Sequence, residues 1–79
     1  MSTETASTVV LDVRDELRRG GEPFDRIMAA VNQLQPGQQL ELWAIFEPRP
    51  LFGVLAGMGF THRAEPQSNG DWRVTFFKD

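Results

Sequence analysis

The chain has 79 residues, 41% of them hydrophobic and 24% charged, the composition of one ordinary globular domain rather than a disordered tail or a pair of domains. It contains no cysteine, which excludes a disulfide framework, a thiolate nucleophile and a cysteine-based metal site, so packing alone must hold it together. The formal net charge is -3 and the cations are spread along the chain, which argues against electrostatically driven binding to nucleic acid.

Met1 to Thr8 is polar and rich in Ser and Thr, with neither a basic region nor an apolar run. It is expected as a flexible tail, not a signal peptide or a membrane anchor, ahead of a single domain over residues 9–79 that fits the cytoplasm best. Val9-Val10-Leu11-Asp12-Val13 is β-branched and short, and predicts a first strand largely buried on both faces. Arg14 to Gly21 is charged and ends in Gly20-Gly21, room for a short helical turn before the chain bends. Pro23 suits the first position of a helix, where its missing N–H is not needed, and Phe24, Ile27, Met28, Val31 and Leu34 repeat at helical spacing behind it.

Gln35-Pro36-Gly37-Gln38 carries the turn chemistry that stops such a helix. Gln39 to Ile45 then alternates, with Leu40, Leu42 and Ala44 on one side and Glu41, Trp43 and Ile45 on the other, which predicts a second strand. Pro50 is expected to open a second helix with Leu51, Val54, Leu55 and Met58 on one face, ended at Gly57 or Gly59 by a left-handed cap. Two hairpin strands, Phe60 to Glu65 and Asp71 to Phe77, flank an Asn69-Gly70 turn.

The order is βαβαββ. Right-handed crossovers place both helices on one face of a four-stranded mixed sheet, an α/β two-layer sandwich with its first two strands parallel. The helix-free face would then carry Trp43, Ile45, Arg73, Thr75 and Phe77. An exposed tryptophan and phenylalanine there point to a protein contact, either another protein or a weak homodimer, with Trp43, Ile45 and Phe77 as the candidate interface. The alternative is that these side chains lie across one another or under the tail.

The succession of strand, x-Pro helix start, Pro-Gly turn, strand, helix and hairpin resembles the TusA/SirA sulfur-carrier family over about residues 9 to 78. In that family the first helix opens with Cys-Pro-x-Pro; the matching stretch here is Gly20-Gly21-Glu22-Pro23, so Gly20 stands where the persulfide-carrying cysteine would be and sulfur relay by that route is excluded. Leu11-Asp12-Val13-Arg14, Gln35-Pro36-Gly37 and Glu47-Pro48-Arg49-Pro50-Leu51 are closer to the related cysteine-free bacterial family, domain of unknown function 2249. Many members of that family carry Asp-His before their Asp-Pro-Arg-Pro segment and Arg-His near the first helix; Ile45-Phe46 and Pro23-Phe24 occupy those positions here, so no histidine-dependent metal or ligand role carries over. The resemblance implies the fold, and a setting beside redox- or metal-associated partner proteins.

The loops opening the two helices should meet at one edge of the sheet, where α/β domains place ligands. Free N–H groups and helix dipoles there favour a small anion, with Gly20 and Gly21 allowing close approach and Arg14, Arg19 and Arg49 as charge-assisted donors to phosphate, sulfate or carboxylate. The competing reading pairs Arg14 with Asp12 and Arg49 with Glu47, so that the arginines only brace the loops. His62 stands alone, short of the three or four ligands a metal needs. No residue set supplies a nucleophile, an electrophile and an enclosed pocket, so neither a catalytic residue nor a cofactor is expected.

Overall fold

The structure, a computed structural model, describes residues 8–78; the expected tail, apart from Thr8, lies outside the described residues. The elements are β1 (Thr8–Asp12), α1 (Arg14–Arg18), α2 (Phe24–Asn32), β2 (Gln39–Ala44), α3 (Arg49–Ala56), β3 (Thr61–Pro66) and β4 (Trp72–Phe77). The strands make one sheet in the order β1-β2-β4-β3. β1 runs parallel to β2 with Leu11 beside Leu42, and the remaining pairs are antiparallel. The expected short turn after the first strand is the five-residue α1.

Alternation along β2 and β4 sends Leu40, Leu42, Ala44, Val74 and Phe76 to one face, where they are buried together with Ile27 and Val31 of α2 and Leu51 and Leu55 of α3. The two longer helices therefore cover the same face and the domain has two layers. Each of these four helix side chains gains about 1.5–3 kcal/mol from leaving water, so the helices are held by this stripe rather than by their own propensity.

One expectation fails at the first strand. β1 is not buried on both faces, because it lies at a sheet edge whose outer face has no second layer, and Val10 is 59% exposed. Val13, expected as the last strand residue, caps α1 and is fully buried, while its N–H extends the ladder to the Trp43 carbonyl at 3.1 Å.

The end of α3 shows why a glycine was needed there. Gly59 takes φ +92°, its N–H bonds the Ala56 carbonyl at 3.0 Å, and the Phe60 N–H reaches back to the Leu55 carbonyl at 2.9 Å. That Schellman ending turns the chain so that Phe60 enters the core before β3 begins. At the other end of the sheet, Ala44 lies beside Trp72, so the segments after β1 and β2 and the residues preceding β4 gather at one edge.

Candidate functional site

The sequence locates two x-Pro helix starts at this edge, and the structure sets a groove between them. Pro23 and Pro48 are the N-cap residues of α2 and α3, both are buried, and neither helix start is closed by a side-chain hydrogen bond. The groove between them has a volume of about 520 Å³, within the ~300–1,000 Å³ range of small-ligand sites. Leu42 and Ala44 of β2 line its base with Val13 and Ile27, Leu17 of α1 joins one side, and Pro50 and Leu51 of α3 the other. Its rim is formed by Phe24, Phe46 and Val54, which are 47%, 49% and 42% exposed. Three large apolar side chains thus converge, partly exposed, on one concavity.

Phe24 and Val54 share the helical period of the core residues Ile27 and Leu55, and the structure separates them: Ile27 and Leu55 are buried, whereas Phe24 and Val54 overhang the gap between the helices. Phe46 lies two residues beyond the end of β2 and belongs to neither periodic pattern. Sequence reading placed a site at this edge but expected polar chemistry there. Glu22 is the sole ionisable side chain among the described residues that line the groove.

The candidate anion-binding residues lie around this edge in different states. Arg14 is fully engaged: its Nε and Nη2 donate to the two carboxylate oxygens of Asp12 at 2.9 and 2.7 Å, and its Nη1 donates to Asp71 Oδ2 at 2.7 Å. Its guanidinium also lies over the Trp43 ring, 5.1 Å from the centroid. These side-chain hydrogen bonds, joined by one from the Arg14 backbone N–H, hold the Asp12 carboxyl down at about 2, while the same contacts raise the arginine further above its usual range. Asp71 is buried and also receives Asn69 Nδ2 at 3.2 Å and lies 3.6 Å from Arg18 Nη2. Sequence reading missed Asp71; its Asn69-Gly70-Asp71 context was a turn signal that concealed an anchor.

Arg49 donates from Nε to Glu47 Oε1 at 2.8 Å, which raises its pKa, and its side chain is 80% exposed. Arg19 is exposed and forms no ion pair among the described residues. Gly20 takes φ +80° and closes α1 in the Schellman manner, with its N–H on the Leu17 carbonyl and the Gly21 N–H on the Glu16 carbonyl. A side chain at Gly21 would meet Glu16 Cγ at 2.9 Å. Both glycines thus have a structural cause, and Glu16 in turn pairs with Arg26 to fasten α1 to α2.

On the helix-free face, Trp43 donates from Nε1 to Glu41 Oε2 at 2.7 Å, Arg63 lies over the Phe77 ring, and Arg73 pairs with Glu65. Trp43, Ile45 and Phe77 are half-buried. The face therefore sets its aromatics among charged side chains. His62 stacks on Phe52 with centroids 3.8 Å apart. Among the described residues no cluster of three or more His, Cys, Asp or Glu side chains is placed to hold a metal, and no helix is long and apolar enough to cross a membrane.

Among known protein families, residues 10–78 match one described as an uncharacterised conserved protein (DUF2249). No curated protein and no solved structure matches the chain.

Proposed function

The chain belongs to the DUF2249 family, and from that premise we propose that it is a non-enzymatic, cytoplasmic binding module whose working surface is the groove between the N-termini of α2 and α3. The observation that carries this reading is the convergence of Phe24, Phe46 and Val54 on one concave, apolar site. Catalysis on a polar substrate calls for converging polar groups; a lining of Val, Leu, Ile, Phe, Pro and Ala instead suits the apolar side chains of a partner.

The helix-free face is a second reading, favoured by Trp43 and Phe77 inside a frame of Glu41, Arg63 and Arg73, the arrangement of an aromatic centre with a polar rim. Anion binding draws the least support, because Arg14 and Arg49 already serve Asp12, Asp71 and Glu47.

The test is an amide chemical-shift titration of the protein with N-acetyl-phenylalaninamide, run in parallel on Val54→Glu and Trp43→Glu. The groove reading expects weak, saturable shifts at Ala44, Phe46, Leu51 and Val54 that vanish in Val54→Glu and persist in Trp43→Glu. Saturable shifts centred on Thr75 and Phe77 and lost in Trp43→Glu would move the function to the sheet face, and shifts that never saturate at either place would refute both.

A further inference from the structure

The groove's surroundings specify the charge of what it receives. The start of α2 carries two carboxylates, Glu22 in the lining and Asp25 in the first turn, whereas at the start of α3 Glu47, between the lining residues Phe46 and Pro48, is paired with Arg49. The two carboxylates at the start of α2 occupy the positive end of its helix dipole, which removes the feature that would otherwise draw an anion there. The nearby cations do not restore it. Arg26 is spent on Glu16, Arg49 on Glu47, and Arg14 on Asp12 and Asp71, whereas Glu22 and Asp25 form no ion pair among the described residues. Arg19, exposed at the end of α1, stands outside the lining.

Resting on the groove reading above, we infer that the occupant is a basic amphipathic helix of a partner protein, its apolar stripe seated between Phe24, Phe46 and Val54 and its lysines or arginines over Glu22 and Asp25. A helix laid in the trough between two others repeats a common mode of peptide recognition, with apolar anchors at helical spacing giving the contact. Exposed carboxylates around an apolar centre add selection among partners and faster encounter more than they add affinity. The negative net charge of the chain acts in the same direction.

The probes are two fluorescein-labelled amphipathic peptides with the same Leu and Phe stripe, one with Lys and one with Glu at every polar position, followed by fluorescence anisotropy. The Lys peptide is expected to bind about tenfold more tightly than the Glu peptide at low salt, with the gap closing as ionic strength rises. A Glu22→Gln, Asp25→Asn variant, which alters only exposed side chains, should lose most of that preference while keeping the apolar contact. Equal affinities, or tighter binding of the Glu peptide, with both lost in Val54→Glu, would overturn the charge assignment and leave the groove reading standing. If neither peptide binds, or if Val54→Glu leaves their binding unchanged, both fall.

Discussion

Replacing Asp71 with alanine tests how much of the domain rests on one buried carboxylate. Asp71 accepts Arg14 at 2.7 Å and Asn69 at 3.2 Å and lies near Arg18, with its side chain only 9% exposed. A hydrogen bond to a charged group is worth about 1.5–3 kcal/mol when its removal is not offset. The Arg14 guanidinium is not stranded by the change, because it keeps Asp12 and can be reached by water, so the loss should settle near 2 kcal/mol. For a domain of this length the whole stability is about 4–12 kcal/mol. With a urea slope of about 1 kcal/mol per molar, the midpoint should fall by roughly 2 M. The measurement is urea unfolding followed by tryptophan fluorescence, with Glu65→Ala as the control. Glu65 makes an ion pair of the same kind with Arg73, but both partners are about 40% exposed, and such a pair contributes about 0–1 kcal/mol. Asp71→Ala no more destabilising than Glu65→Ala would refute the argument that burial, not pairing, sets the magnitude.

Two further outcomes follow from geometry at single residues. Gly59→Ala forces a side chain onto φ +92° and should cost about 1–2 kcal/mol, whereas Gly53→Ala, inside α3 with open space where the methyl would sit, should stabilise by about 0.5–1 kcal/mol; thermal denaturation of the pair reads both signs. The Asp12 carboxyl, lowered from 3.8 to about 2 in the folded chain, contributes stability that is complete above about pH 4 and is lost as the pH falls through 2. Because Asp12 is half-exposed, that contribution is about 1 kcal/mol or less, and Asp12→Asn should lower stability by up to that amount at neutral pH, change little below about pH 2, and so flatten the stability profile across this acidic interval.

The elements that were legible in the sequence are those whose pattern is local. Alternation from Gln39 and the helical spacing of Ile27 with Val31 each report a face without reference to the rest of the chain, and Asn69-Gly70 reports a turn that Gly70 completes at φ +90°. What stayed hidden depends on neighbours distant in sequence. Val10 has the composition of a doubly covered strand, and only the pairing order makes β1 an edge. Phe24 and Val54 obey the same period as the core, and only the spacing of two helices leaves them at a groove rim. The x-Pro loops announced where a site would be; its apolar rim arose from Phe24 and Val54, which the helical period groups with the core, and from Phe46, which no period marks.

The Arg14–Asp71 contact joins positions 57 residues apart, between the segment after the first strand and the last hairpin. A contact across so long a stretch of chain becomes available only after the intervening helices and β2 have brought its ends together. Interactions that form after the folding transition state leave the rate of folding nearly untouched and slow the reverse step. This ion pair is accordingly expected to act as a brake on opening. Removing Asp71 should raise the unfolding limb of the chevron while the refolding limb stays in place, so that the lifetime of the closed domain, more than the ease of making it, depends on that single carboxylate.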